Sequence, residues 1–266
     1  EIASETKLAH HDLELLPNGN VLTIVWEEIT TEQAKTLGAQ TEHPIYTEKL
    51  IEIIDGLNNK AALKQHIYRN TITVFEQFKK CASEIADKLT PEIISQDKSL
   101  EVGLSEIGEF EFHLKFSGDT IAFIMHTNVF SFPPEHEVSK SSYVDEAPDR
   151  GYCGMIQAYN FLSDSLKYQR LGDIGYLLAR IFVNCEGNFY VDGQRQLDFL
   201  FKDFNKQKID NESIIKVIEQ TMLYALDFDL YIPPMDTMKE ITVQEKDYFN
   251  NPRGFVTGKR LGFKKD

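Results

Sequence analysis

Two groups of side chains in this sequence have the types and spacing for chemistry. The first is His10-His11-Asp12, two adjacent imidazoles followed by an acid. Near neutral pH an imidazole serves as nucleophile or general base. The same three residues also suit the start of a surface strand. The second group is Glu111, His113 and His126, in "GEFEFHLKFSGDTIAFIMHTNVFSF". Phe110, Phe112, Leu114 and Phe116 alternate there with Glu109, Glu111, His113 and Lys115, which predicts a half-buried strand. With Gly118-Asp119 as a two-residue type II′ turn, Phe116 faces Ile121, Leu114 faces Phe123 and Phe112 faces Met125. Glu111 then stands opposite His126, on the less apolar face with His113. A covered cross-strand acid–histidine pair is a candidate ligand site.

Other familiar chemistry is missing from the sequence. No HExxH, GxSxG or GxGxxG occurs, and "GFVTGKR" is one residue short of a phosphate loop. Cys81, Cys153 and Cys185 are far apart and odd in number, which predicts reduced thiols and no zinc site. Asp227 and Asp229 read as a solvated helix end. No metal or cofactor is implied. The net charge of −14 disfavours nucleic acid and anionic membrane surfaces, which reward clustered Lys and Arg. No apolar run reaches the ~18 residues that span a bilayer. The sequence begins with Glu1 and shows no leader pattern, so a processed, trimmed or partial chain is expected. Its cellular address stays open.

The elements that must position these residues follow from periodicity. Residues 8–29 predict a β-hairpin around Pro17-Asn18-Gly19-Asn20. Thr31 caps a short helix that stops at Gly38, and "IYTEKLIEI" (45–53) predicts a third strand. "HHDLELLPNGNVLTIVWEEIT", the short helix and "IYTEKLIEI" together resemble one blade of the arylsulfotransferase family. The resemblance covers about residues 8–54. It implies a six-bladed, usually exported β-propeller that moves sulfate between phenols through a histidine nucleophile, without a nucleotide cofactor. Histidines near the axis hold the sulfate, and only His10 and His11 lie in matching positions. Which of them would be nucleophile and which sulfate ligand stays open. A propeller needs several blades, and no second LPNGN unit occurs. The chain by itself is therefore expected to be inactive, as a fusion or a fragment.

Gly56, Asn58 and Asn59 predict a turn or linker at 54–60. A long helix is expected over about 60–89, with Pro91 just past its end. Its stripe of Ile67, Thr71, Val74, Phe78, Cys81, Ile85 and Leu89 suits either a seam between two protomers or the domain's own sheet. Residues 135–151 predict a long loop that covers a site. Strands are expected at 152–162 and as a hairpin around Glu186-Gly187. Helices are expected at 194–204 and 211–228, and an extended or disordered tail at 233–266. The predicted class is α+β. A propeller-blade-like segment (1–54) precedes an antiparallel sheet with one long N-terminal and two C-terminal helices (57–232). Three functions compete: an arylsulfotransferase-like fragment, a non-catalytic module at 57–266 that binds a small molecule or regulates a partner, and an enzyme of another kind using Glu111 and His126 beneath the 135–150 loop.

Overall fold

The computed structural model describes residues 3–4, 7–15, 21–29, 31–36, 45–230, 232, 235–237, 240, 242–244, 246 and 261–262, with side chains placed over most of 52–230. It is α+β, with an antiparallel sheet and a long helix as expected. The chain divides into two compact units, Glu1–Leu63 and Lys64–Asp266.

The first unit holds a four-stranded sheet in chain order: β1 (Ala3–Ser4), β2 (Lys7–Leu15), β3 (Val21–Ile29) and, after helix α1 (Thr31–Thr36), β4 (Ile45–Tyr46). The expected hairpin is present in its two strands, while its Pro17–Asn20 turn and Gly38 lie outside the described residues. The third strand is corrected. Only Ile45–Tyr46 is extended, and Thr47–Gly56 forms helix α2. The apolar positions Leu50, Ile51, Ile53, Ile54 and Leu57 recur at three and four residues, the helical period. The predicted turn at 54–60 is helical as well. Gly56 sits at φ −61, and Leu57–Ala61 form a π-helical turn.

The second unit opens within the first turn of α3 (Ala62–Gln96). This helix runs past Pro91, which was expected to lie beyond it. Proline removes one backbone donor, and the last turn and a half tolerates the loss. Six strands follow as an antiparallel meander: β5 (Val102–Gly108), β6 (Glu111–Phe116), β7 (Asp119–Ser131), β8 (Tyr152–Leu162), β9 (Tyr176–Asn184) and β10 (Phe189–Gly193). Helix α4 (Ser142–Glu146) lies within the predicted 135–151 loop, and α5 (Ser163–Lys167) follows β8. Helices α6 (Leu197–Leu200) and α7 (Asn211–Leu226) close the unit, with β11 (Asp229–Leu230) paired to β12 (Leu261–Gly262). The rest of the predicted tail lies largely outside the described residues. Among the described residues, no helix is long and apolar enough to cross a membrane.

One face of the sheet is taken by α3 and α7. Ile67, Thr71, Val74, Phe78, Cys81 and Ile85 are buried, and α3 shares one core with Phe112, Phe123 and Ile156 of the sheet and with Val217 and Ile218 of α7. The stripe thus serves the chain's own sheet, and the protomer seam read from it is not what buries these residues. Phe75 meets Phe112 at 5.3 Å, Phe112 stacks on Phe123 at 4.9 Å, and Phe78 meets Phe123 at 5.9 Å. Each such ring contributes roughly 1.5–3 kcal/mol of apolar burial.

One further expectation is corrected, and one strand was not foreseen. The helix read over 194–204 shrinks to α6, because the chain turns back along the edge strand β10. There the carbonyls of Phe201 and Gln207 accept from Val191 and Phe189 N–H, donors that an edge strand leaves open. Strand β5 is the other surprise. Its short alternation, Val102 and Leu104 against Gly103 and Ser105, is too brief to stand out beside a helix end. The second C-terminal helix agrees with its prediction, and Asp210 and Ser213 form its capping box.

Candidate functional site, an aromatic cavity beneath the 132–151 loop

The hairpin of β6 and β7 shows how the second sheet face is set. Its turn is Ser117-Gly118, so Phe116 pairs with Asp119, Leu114 with Ile121 and Phe112 with Phe123. Ser117 takes the left-handed conformation at φ 57 that was expected of Gly118. The predicted register is therefore off by two residues. An even shift keeps every side chain on its face, so the apolar face is as expected, but the partners change. Glu111 pairs with Ile124, and His126 pairs with Met155 on β8. The Glu111–His126 pair does not form.

Beyond His126 the strand bulges. His126 pairs with Met155 and Phe130 with Cys153, so three residues of β7 oppose Gly154 alone. A bulge re-aims the side chain that follows it, here Phe130. The Asn128 N–H donates to His126 Nδ1 at 3.0 Å, and the imidazole edge meets the Phe130 ring at 4.8 Å. An accepting Nδ1 carries no proton, so this contact belongs to neutral His126.

Phe130 forms one wall of a cavity of about 320 Å³. Cys153 and Met155 of β8 and Phe182 of β9 contribute from the sheet, and Phe132, Pro133 and His136 from the chain after β7. Phe132 stands edge-on to Phe182 at 4.9 Å and stacks on His136 at 4.6 Å. The polar groups at the wall are Arg180 and Asp192, direct cross-strand partners on β9 and β10. Arg180 Nε donates to Asp192 Oδ2 at 2.9 Å, and Nη2 donates to the same oxygen. An apolar hollow with few, convergent polar groups is the usual form of a small-molecule site.

The predicted covering loop does contribute to this cavity, and it is fastened at two places. Val138, Tyr143 and Val144 are buried with Cys153, Phe182, Tyr190 and Phe204 in a second core cluster. At one fastening, Tyr190 donates to Glu137 at 2.6 Å and accepts from Lys202 at 2.7 Å. At the other, Tyr143 donates to Glu186 at 2.8 Å and accepts from Asn184 at 3.0 Å. Arg150 donates to Glu186 at 2.9 Å and lies over the Tyr143 ring at 4.4 Å. Burial, with the Glu186 carboxylate acting against donation from Asn184, pushes Tyr143 up to about 12. Burial and the Glu137 carboxylate, partly offset by Lys202, push Tyr190 up to about 12.

Both shifts make stability depend on alkaline pH. Below the ordinary tyrosine value near 10 the hydroxyls are protonated in both states and contribute no slope. Between about 10 and about 12 only the unfolded chain releases these protons, so stability falls as pH rises. At ~1.4 kcal/mol per unit the full loss is about 3 kcal/mol per tyrosine, of which about 1.4 kcal/mol is reached by pH 11. Urea unfolding at pH 8 and pH 11 measures it. Tyr143→Phe and Tyr190→Phe should each remove their share of the difference; an unchanged difference would mean that the loop is fastened otherwise.

The sequence-predicted residues are distributed as follows. Glu111 and His113 form their own pair along β6, Oε1 to Nε2 at 2.7 Å, with Glu111 37% exposed. His126 is separate from them and braces the cavity wall through Phe130. His10, His11 and Asp12 lie in β2 where the register shifts between Ala9 and Leu13. Sequence reasoning missed Arg180, Asp192, Phe132 and Phe182. The one available signal was Arg180 itself, a charge within the apolar run "YLLARIFV".

A second hollow, about 810 Å³, is lined by Gln194, Arg195, Gln220, Tyr224, Asp227 and neighbours. It is larger, but its lining is mainly polar with Tyr224 as its one aromatic side chain, and Asp227 is engaged there by Arg195. Among the described residues no group of three or more His, Cys, Asp or Glu side chains is placed to hold a metal. Compared with known proteins, this chain matches no family model, no curated protein and no solved structure.

Proposed function

We propose that residues 64–230 form a non-catalytic binding module for a small, largely apolar molecule held in the cavity between Phe130, Phe132, Met155 and Phe182. The observation that carries this reading is the cavity's composition: aromatic and thioether walls with one ion pair at the side. Binding is favoured over catalysis by the state of its potential nucleophile. Cys153 is fully buried, and burial pushes its thiol well above the usual range, which suits a wall and not a thiolate. His136 Nδ1 is engaged by the Val138 N–H at 3.2 Å.

The test is a titration with N-phenyl-1-naphthylamine, a neutral dye that brightens in apolar surroundings. At ~0.3 kcal/mol per heavy atom, a dye of this size should bind with a Kd on the order of 0.1 mM. One saturable site per chain is expected. A linear, non-saturating signal would contradict the reading.

A second reading concerns residues 8–54, as an arylsulfotransferase-like segment. It is supported by four antiparallel strands in chain order, the strand number and pairing of a propeller blade, and by the register shift at His10–Asp12. On this reading the chain alone transfers no sulfate, since one blade cannot enclose the group. Histidine-dependent turnover of an aryl sulfate with a phenol acceptor would overturn that expectation.

A further inference from the structure

We infer that His126 and His136 make the cavity proton-sensitive: it holds its ligand while both imidazoles are neutral and releases it when they take up a proton. The inference rests on the proposed binding function of this cavity and names its regulation. It starts from one contact made twice. The Asn128 N–H donates to His126 Nδ1 at 3.0 Å, and the Val138 N–H donates to His136 Nδ1 at 3.2 Å. In both cases the donor is a backbone amide two residues on, which can only donate. Each Nδ1 must therefore present a lone pair. Imidazolium has none, because it carries a proton on both nitrogens.

Each of these rings supports an aromatic wall. His126 meets the Phe130 ring edge-on at 4.8 Å, and His136 stacks on Phe132 at 4.6 Å. His136 also lines the cavity itself. Protonation sets an N–H against an N–H, so the ring must turn or withdraw. An empty cavity lets Phe130 and Phe132 follow. A ligand packed between them resists that movement, and its apolar surface removes water from His136, which disfavours the charged ring. Proton and ligand thus oppose each other, and the opposition is reciprocal.

The neighbouring groups do not reverse this sign. At His136, Asp192 is taken by Arg180, and the guanidinium lines the same cavity and repels a second cation. Glu137 accepts from Tyr190 and lies 3.9 Å from Lys202, while Glu135 is exposed. Burial keeps Cys153 and Tyr190 protonated and uncharged here. At His126, the cross-strand partner is Met155. Glu111 on β6 is paired with His113, and Glu109, in the turn before β6, is exposed. Lys64 of α3 lines a neighbouring hollow with Asn128 and Phe130 and adds a further cation.

Titration with N-phenyl-1-naphthylamine, which stays neutral throughout, at pH 8.0 and pH 6.0 tests this, one value on each side of the ordinary histidine range. The wild-type chain should bind at least about fourfold more weakly at pH 6.0. A double variant, His126→Asn with His136→Asn, keeps an acceptor for the amide two residues on and takes up no proton. Its affinity should stay within about twofold between the two pH values, although the other histidines of the chain remain. Only the ratio between pH values is compared, so a lower affinity at pH 8.0 leaves the test intact. Circular dichroism at both pH values checks folding. Should the double variant not fold, the wild-type chain decides alone. Its Asn128 and Val138 amide resonances should move between pH 8.0 and pH 6.0 in the free chain and stay in place when dye saturates the cavity. Equal wild-type affinity at the two pH values, or amides that move equally with and without dye, overturns the inference and leaves the binding function standing. An acid loss of wild-type size in the folded double variant also overturns it. Absence of saturable binding at pH 8.0 overturns both.

Discussion

Replacing Gly154 with alanine should cost the fold about 3 kcal/mol, the top of the usual range for overpacking. Gly154 lies on β8 opposite Val183, facing α3. A Cβ built there falls 1.9 Å from Thr71 Oγ1 and 2.8 Å from Thr71 Cβ. Thr71 is fully buried, and its hydroxyl is held by the Ile67 carbonyl at 2.7 Å. Rotating the side chain relieves the oxygen but not the Cβ, so the helix itself must move off the sheet. Such a movement loosens the Phe75, Phe78, Phe112 and Phe123 cluster. Urea unfolding followed by circular dichroism measures the loss. Thr71→Ala in the same background should recover part of it, through the oxygen and methyl that it removes. A loss below about 1 kcal/mol would mean that α3 does not approach β8 this closely.

Filling the cavity should have the largest effect on binding. Met155→Trp adds an indole where the structure has open volume beside Phe130 and Phe182. The affinity for N-phenyl-1-naphthylamine should fall at least about tenfold, a change of ~1.4 kcal/mol. Met155 faces the cavity, not the α3 core, so the unfolding midpoint should change far less than in Gly154→Ala. Full retention of dye binding in a folded Met155→Trp chain would place the dye elsewhere.

Much of the sheet was legible because its strands obey simple patterns. Phe112, Leu114 and Phe116 alternate with polar residues, and the strand at 152–162 was found with its observed limits because it is apolar on both faces. Both of its faces are in fact covered, one by α3 and the other by the chain after β7. The hairpin register was missed by a choice of turn. Gly118 was the natural residue for a left-handed conformation, yet Ser117 takes it. That change removed the Glu111–His126 pair while leaving each side chain on its predicted face. The segment 45–60 was misread because Ile45 and Tyr46 look extended, while the helical spacing that follows begins only at Leu50.

The cavity was hidden for a different reason. Its walls come from four separate stretches, at 130–136, 153–155, 180–182 and 192. They meet only because β7 bulges after His126 and the following chain folds back over β8 to β10. A bulge of Thr127, Asn128 and Val129 has no period to detect. The two fastenings of the loop, Tyr143 with Glu186 and Tyr190 with Glu137, join residues 43 and 53 positions apart, beyond the reach of any local pattern. The long-loop composition of 135–151 was the one legible sign that this face is covered.

The most direct test of the binding function is a methyl NMR titration of the chain carrying ¹³C-methyl methionine. Of its five methionines, Met155 lines the cavity, whereas Met125 and Met222 are buried in the core on the opposite sheet face. Addition of N-phenyl-1-naphthylamine should shift the Met155 methyl resonance progressively to saturation and leave Met125 and Met222 in place. A Met155 resonance that stays fixed while the dye binds, or equal shifts at all three methyls, would contradict a ligand site in this cavity.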